Sequence, residues 1–139
     1  MAVITLTTDW GLRDQHVSAL KGKLLRSVNR AQFIDISHDI QAYNIAQAAY
    51  IFRNTYQNFP DGTVHFIGVG SFPSVDTPVI ALKKGGHSFV GMNDGFFSLV
   101  FDEPPVDIVQ LNESGLTYAA YDISAIVEAI THLSSGKNI

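Results

Sequence analysis

The chain of 139 residues contains no cysteine, which excludes disulfide bonds and any thiolate chemistry. Charged residues are also scarce, at 16%, and the lysines and arginines form no cluster that could follow a phosphate backbone. Together with a formal net charge of -4, this composition predicts a protein that does not bind nucleic acid. The absence of cysteine fits a cytoplasmic location.

Long apolar runs are missing as well. No uninterrupted hydrophobic stretch approaches the roughly 20 residues of a membrane-spanning helix. Residues 1–6 have no basic segment followed by a long apolar one, so we predict no signal peptide, no membrane contact and a cytoplasmic protein. Hydrophobic residues nevertheless make up 46% of the chain, which is enough to form the core of one globular domain.

Short β-rich segments alternate with amphipathic segments in the first half of the chain. Strands are predicted over residues 3–7, 33–36 and 64–69, and helices over residues 14–29 and 44–59. Strand–helix–strand units of this kind pair their strands in parallel through right-handed connections. A parallel sheet is therefore expected at this end of the fold.

The first predicted helix has Asp14 as its N-cap and ends near Asn29. One face of this helix is apolar and is expected to be buried; it consists of Val17, Leu20, Leu24, Leu25 and Val28. The second helix is predicted to start at Asn44, and Pro60-Asp61-Gly62 separates it from the next strand.

The second half of the chain begins with the pattern of a β-hairpin. Residues 78–82 and 87–91 are predicted strands joined by the turn Lys83-Lys84-Gly85-Gly86. The remaining predicted elements are a short helix over residues 96–101, a strand over 106–111 and a helix over 123–133. Parallel units followed by a hairpin predict an α/β fold with a mixed, mostly parallel sheet and helices on both faces, which is a three-layer sandwich.

Acidic residues lie at the ends of two predicted parallel strands. Asp9 follows the first strand and precedes Trp10-Gly11, and Asp35 lies in the second strand near its end. The carboxyl ends of parallel strands border the crevice in which α/β proteins bind ligands. Asp9 could accept hydrogen bonds from the two hydroxyls of a ribose, or it could simply cap the next helix. Asp14 is either an N-cap or a partner for a ligand ammonium group.

Asp35 and His38 look at first like a proton-transfer pair. They are separated by Ile36-Ser37 across the end of a strand, so their side chains need not meet. We therefore predict a turn in which Asp35 or Ser37 accepts backbone N–H groups.

The other histidines have ordinary structural interpretations. His65 and His87 fall inside predicted strands and are expected to pack across the sheet, whereas His16 and His132 are expected at the surface or in packing contacts. Because no pair of histidines has the helical spacing of metal ligands with a carboxylate nearby, no metal site is predicted.

Several motifs occur in a defined order along the chain. They are Ile4-Thr5-Leu6-Thr7-Thr8-Asp9-Trp10-Gly11-Leu12-Arg13-Asp14, Lys21-Gly22-Lys23-Leu24-Leu25, Asp35-Ile36-Ser37-His38-Asp39-Ile40 and Phe59-Pro60-Asp61-Gly62-Thr63-Val64-His65. Together they resemble the amino-terminal domain of the S-adenosylmethionine (SAM) hydroxide adenosyltransferases, relatives of the fluorinase and chlorinase. Residues 92–98 also resemble a Pro-Asp-Asn-Gly segment of that family, and residues 121–133 its closing helix.

The resemblance implies a two-domain trimer. Members of the family join this α/β domain to a smaller β-rich carboxyl-terminal domain and bind SAM between neighbouring subunits. Residues 1–134 are accordingly expected to form the amino-terminal domain and residues 135–139 to begin a linker, with the second domain absent from this chain; a natural end there is the alternative. The implied chemistry is displacement of methionine from the ribose 5′ carbon by hydroxide or halide, with SAM as substrate or ligand and no cofactor.

The same resemblance assigns residues to the ligand. Asp9 would hold the ribose hydroxyls, Asp14 and His16 would lie near the methionine end, and Tyr43 matches the position of an aromatic lid. The full set implied for binding is Asp9, Trp10, Asp14, His16, Tyr43, Gly70, Ser71, Asn93 and Asp94.

The chain departs from the family at the catalytic positions. Hydrolytic members carry an Asp-Pro-Gly-Val-Gly segment after the third strand, an Arg beyond it, and a His in Phe-His-Gly-Arg-Asp. The Asp, Arg and His positions are Gly70, Thr77 and Ala119 here, so no catalytic residue is identified. Two functions remain open: hydrolysis of SAM to adenosine and methionine by a rearranged set of residues, or a non-catalytic binding or assembly module.

Overall fold

A computed structural model describes residues 1–70, 72–74, 76–105, 107–111 and 123–139. In these ranges six strands form one sheet with four α-helices around it. The elements in chain order are β1 (Ala2–Thr8), α1 (His16–Ser27), β2 (Ala31–Ser37), α2 (Ile45–Arg53), β3 (Val64–Gly68), β4 (Val79–Lys84), β5 (His87–Met92), α3 (Phe96–Val100), β6 (Asp107–Gln110) and α4 (Ser124–Ser134). None of the described helices is long and apolar enough to cross a membrane.

The sheet is mixed and mostly parallel, as predicted. Its strand order is β2-β1-β3-β5-β4-β6, and β4 alone runs antiparallel to its neighbours. The β4–β5 hairpin turns at Gly85 and Gly86, whose φ angles are 60° and 83°. A tight hairpin turn with positive φ at both central residues favours glycine, which explains the Gly-Gly pair.

Helices cover both faces of the sheet, which confirms the three-layer prediction. Alternate residues of β1 and β3, such as Ile4 and Phe66, point to the core beneath α1 and α4. The opposite face packs Ile67 and Phe89 against α2 and α3. The chain goes from β1 outward to β2 through α1 and then back across β1 to β3 through α2. Because crossover connections between parallel strands are right-handed and these two run in opposite directions along the sheet, α1 and α2 lie on opposite faces.

The first helix differs from its prediction in detail. Leu20 and Leu24 are buried, but Leu25 is 60% exposed because it is one helical step past the buried stripe. The helix begins at His16, and the residue in the N-cap position is Gln15, so the prediction of Asp14 as N-cap was wrong. The Asp14 carboxylate instead accepts the backbone N–H of His16 at 3.1 Å, which stabilises the same end of the helix.

Helix α1 ends slightly before the predicted position, and α2 begins where predicted. Helix α1 ends at Ser27, and Val28 is already extended, so the chain leaves the helix before Asn29. Asn44 is confirmed as the start of α2, since its side chain accepts the backbone N–H of Gln47 at 2.9 Å. The second helix is shorter than predicted: it stops at Arg53 and a 3-10 turn over Tyr56–Asn58 completes the segment.

Candidate functional site

The candidate site lies at the carboxyl ends of β1 and β3. From β1 the chain passes to β2 on one side and then to β3 on the other. The direction of winding therefore changes between β1 and β3. A crevice at such a switch point is the usual ligand site of an open α/β sheet. Asp9 follows β1 directly, and Gly70 lies in the loop after β3.

The carboxylate of Asp9 joins three segments at this point. Its Oδ2 atom accepts the backbone N–H of Tyr43 at 2.8 Å and that of Gly70 at 3.0 Å. The backbone N–H of Asp9 donates to the carbonyl of Gly68 at 3.3 Å. Asp9 is half-buried, and Oδ1 has no hydrogen-bond partner among the described residues. One oxygen is therefore fixed by the fold, while the other is available to a ligand hydroxyl.

A second carboxylate lies beside the same loop. Gly70 has a φ of +93°, and a Cβ added there would lie 3.4 Å from Oδ2 of Asp94. Oδ1 of Asp94 accepts the backbone N–H of Phe96 at 3.1 Å. Burial raises the pKa of Asp94, and its backbone hydrogen bonds only partly oppose that shift. Asp9 and Asp94 thus flank Gly70 and make this edge of the sheet acidic.

An aromatic group borders the acidic edge. The ring of Trp10 stacks on Phe72 with 5.2 Å between centroids and an interplanar angle of 9°. His16 contacts the same pair, with its ring 6.2 Å from that of Trp10 and 5.6 Å from that of Phe72. Gly68 lies close to this group, since a Cβ there would come within 3.0 Å of the Trp10 ring. The site therefore combines carboxylates with a flat apolar surface, which suits a ligand with both polar and ring portions.

Asp35 and His38 do meet, contrary to the expectation from their spacing. Nε2 of His38 lies 2.8 Å from Oδ1 of Asp35, and Nζ of Lys21 donates to Oδ2 of the same carboxylate at 2.8 Å. Partial burial acts to raise the pKa of Asp35, but Lys21 and His38 outweigh it, so the pKa lies below its usual value. The predicted role of Ser37 is confirmed, because its hydroxyl accepts the backbone N–H of Asp39 at 3.1 Å.

The remaining histidines lie in packing or surface positions, as predicted. His65 and His87 are buried side by side across β3 and β5, with 3.1 Å between Nε2 of His65 and Nδ1 of His87. His132 is exposed on α4. Within the described ranges, no group of three or more His, Asp or Glu side chains is arranged to hold a metal ion.

Comparison with known proteins supplies the family. The model of the SAM hydroxide adenosyltransferase N-terminal domain matches residues 4–139. The chain belongs to this family. A (R)-S-adenosyl-L-methionine hydrolase of Methanocaldococcus jannaschii is 30% identical over 144 aligned positions, which cover 96% of this chain and 54% of the relative. A protein of the same description from Salinispora arenicola is 32% identical over 92 positions, covering 66% of this chain and 35% of the relative.

Two solved structures share the fold of this chain. An uncharacterized conserved protein from Thermotoga maritima superposes with a TM-score of 0.84 at 22% identity, covering 97% of this chain and 54% of that one. A conserved hypothetical protein from Thermus thermophilus gives a TM-score of 0.73 at 23% identity. The chain thus spans about half the length of the first relative and of both structures.

The binding residues implied by the family do not all lie together. Trp10, Gly70 and Asp94 lie around Asp9, and His16 contacts the Trp10 ring. Asp14 is exposed at the start of α1. Ser71 and Ala119 are outside the described residues.

Three other family positions are peripheral or backbone contacts. Tyr43 has a φ of 62° and a side chain that is 71% exposed, and it reaches Asp9 through its backbone N–H alone. Asn93 is exposed, and its backbone N–H donates to the carbonyl of Pro78 at 3.0 Å. Thr77, at the position of the family Arg, pairs with Ser74 in a turn through backbone bonds of 3.0 and 3.2 Å. Sequence reasoning did not predict this backbone contact, because a positive φ at a residue other than glycine is uncommon and has no local sequence signal here.

Proposed function

We propose that this domain binds SAM at the carboxyl ends of β1 and β3, with the ribose at Asp9 and the methionine portion toward His16 and Asp14. The observation that most supports this is the Asp9 carboxylate, which has one oxygen held by two backbone N–H groups and the other without a described partner. A carboxylate fixed in this way accepts a diol hydrogen bond without first losing side-chain freedom. The family of the chain favours SAM over other nucleosides.

The charge of the crevice agrees with a cationic ligand. SAM carries a sulfonium group next to the ribose, and the carboxylates of Asp9 and Asp94 both lie beside Gly70. Burial raises the pKa of Asp94, so a nearby cation would favour its ionised form and be favoured by it in return. The stacked rings of Trp10 and Phe72 would supply the apolar contact.

Bound SAM is either hydrolysed, which is the reaction of the family, or held without reaction. In hydrolysis, hydroxide attacks the ribose 5′ carbon, the carbon–sulfur bond breaks with its electron pair on sulfur, and adenosine and methionine leave. Gly70 and Thr77 contribute no ionisable side chain that could orient or deprotonate water. We therefore propose binding without the usual water-activating residues; hydrolysis by a rearranged set of residues is the alternative.

Incubation of the full-length protein with SAM, followed by chromatography, separates these possibilities. Adenosine and methionine formed above an Asp9→Asn blank would establish an enzyme. Unchanged SAM together with a measurable heat of binding would establish a binding module. No heat of binding and no product would contradict the proposal in both forms.

We also propose that the functional unit is a cytoplasmic homotrimer. In this arrangement residues 1–134 are the amino-terminal domain, and a β-rich carboxyl-terminal domain of a neighbouring subunit completes the pocket around the adenine. The second domain is supported by the coverage of the relatives, since the chain accounts for 54% of the first of them, and the trimer rests on the family of the chain. Light scattering on the full-length protein tests it, and a monomer that binds SAM would contradict it.

A further inference from the structure

A chain of hydrogen bonds runs from the surface of α1 to the turn that carries Asp9. Lys21 donates to Asp35 at 2.8 Å, Asp35 lies 2.8 Å from Nε2 of His38, and Nδ1 of His38 lies 2.6 Å from the hydroxyl of Thr8. The same hydroxyl oxygen accepts the backbone N–H of Trp10 at 3.3 Å. His38 and Thr8 are buried, with exposures of 6% and 0%, so solvent cannot replace these bonds.

Donor and acceptor roles along this chain follow from its outer end. The Asp35 carboxylate can only accept, from both Lys21 and His38, so the Nε2 atom of His38 donates to it. When only Nε2 carries a proton, Nδ1 is an acceptor and receives the Thr8 hydroxyl proton. The lone pairs of that hydroxyl are left for the Trp10 N–H, so each polar group has one complementary role.

A second contact ties His38 to the same turn. Its backbone carbonyl accepts the N–H of Gly11 at 2.8 Å. His38 thus holds the turn on both sides of Asp9, through Thr8 before it and Gly11 after it. Because Asp9 lies between these restraints, rotation of the turn would also displace its carboxylate and the Trp10 ring.

We propose that His38 is a positioning residue for the candidate site: anchored by Asp35 and Lys21, it holds the turn of residues 8–11 so that Asp9 and Trp10 are oriented before the ligand arrives. Ligand affinity, which rests on the proposed function, would depend on this restraint because a preorganised site loses less entropy on binding. This series of hydrogen bonds does not carry protons to the ligand. The Thr8 hydroxyl is fully buried, and its bonds go to His38 and to the backbone.

Trp10 is the only tryptophan of this 139-residue chain, so the fluorescence of the chain reports the turn directly, with or without ligand. We expect His38→Gln and Thr8→Val to increase quenching of Trp10 by acrylamide and to shift its emission. Thr8→Val preserves the buried shape and removes only the hydroxyl, which keeps the test valid if the histidine variant fails to fold. Thr8→Ser restores the hydroxyl and is expected to rescue the signal. The control is His132→Gln, which alters an exposed histidine on α4.

Calorimetry with SAM on the same variants completes the experiment. Loss of one restraining hydrogen bond is expected to weaken the affinity about tenfold in Thr8→Val and His38→Gln. Unchanged Trp10 quenching in both folded variants would overturn the positioning role. Increased quenching with unchanged SAM affinity would overturn its link to binding. If the wild-type protein binds no SAM, increased quenching still supports positioning of the turn, and only the proposed ligand fails.

Discussion

Oδ2 of Asp9 accepts the backbone N–H of Gly70 at 3.0 Å, which fixes the carboxylate at the end of β1 to the loop that follows β3. The bond is made by the backbone N–H of Gly70, and the φ of this residue is +93°. A residue with a Cβ adopts such a φ only with strain. The absence of a side chain at position 70 is therefore part of the geometry of the site.

Gly70→Ala is expected to weaken both the fold and the site. The left-handed backbone costs a residue with a Cβ about 1–2 kcal/mol, and the new methyl group would lie 3.4 Å from Oδ2 of Asp94. Chemical denaturation should show this loss of stability, and calorimetry should show weaker SAM binding because the N–H of residue 70 moves away from Asp9.

Gly136→Ala is the matched control. Gly136 also has a positive φ, of +81°, but no atom lies within 4 Å of the position of its Cβ, and it follows α4. A similar loss of stability without any loss of SAM affinity is expected. Equal losses of affinity in both variants would mean that Gly70 acts on stability alone.

Asp9→Asn separates the structural oxygen of this residue from its ligand-facing oxygen. The amide oxygen can still accept the N–H groups of Tyr43 and Gly70, but the amide nitrogen would present hydrogen atoms to a ribose hydroxyl. We expect the SAM affinity to fall at least about tenfold while thermal stability changes little. Asp102→Asn serves as the control, because the Asp102 side chain is 85% exposed. An affinity that does not change in Asp9→Asn would refute the assignment of Asp9 to the ligand.

Trp10 should become less accessible when SAM binds. Its ring is half-buried and stacked on Phe72 beside the Asp9 turn, so a ligand seated on this edge would cover it further. Saturating SAM is expected to lower the acrylamide quenching constant of Trp10. At a SAM concentration near the wild-type Kd, the effect should be much smaller in Asp9→Asn than in the wild type. Quenching that is independent of SAM while calorimetry detects binding would place the ligand elsewhere.

Local patterns were sufficient to predict most of the fold. The alternation of Ile4 and Leu6 with threonines in β1 identifies a strand with one strongly apolar face, and the Gly85-Gly86 pair identifies the hairpin. The position of Asp9 at a strand end followed from the same reasoning, because the edge at which parallel strands bind ligands is a rule of the fold. The exposure of Leu25 was missed, since a helical stripe read from sequence is wider than the face actually covered.

The contact of Asp35 with His38 could not be predicted from spacing. Along a regular strand, residues separated by an odd number of positions point to opposite faces. In the observed register Leu6 pairs with Asp35 but Thr7 pairs with Ser37, so β2 carries one extra residue at this point. A bulge of this kind changes which face the following side chains occupy. Its presence depends on pairing with β1, which no local pattern encodes.

The last prediction concerns acid sensitivity and involves a group outside the candidate site. Burial lowers the pKa of His65 to about 3, with a further contribution from His87. The Nδ1 atom of His65 lies 2.6 Å from the hydroxyl of Thr5, and its Nε2 atom 3.1 Å from His87, so the neutral ring is held at both nitrogens. Neutral His65 is therefore the form that belongs to the folded protein.

The direction of the pH effect follows from this difference. In the unfolded chain His65 takes up a proton below its ordinary pKa of about 6.5, whereas in the folded protein it stays neutral down to a pKa of about 3. The unfolded state then binds more protons, so the free energy of unfolding falls as the pH drops below about 6.5, by up to about 1.4 kcal/mol per pH unit for this group. Urea denaturation between pH 7 and pH 5 measures the slope. His65→Gln, which cannot titrate, should reduce the slope, and His87, whose pKa burial also lowers, contributes to the slope that remains. The exposed control His132→Gln should leave the slope in place; an equal slope in wild type and His65→Gln would show that other groups cause the acid sensitivity.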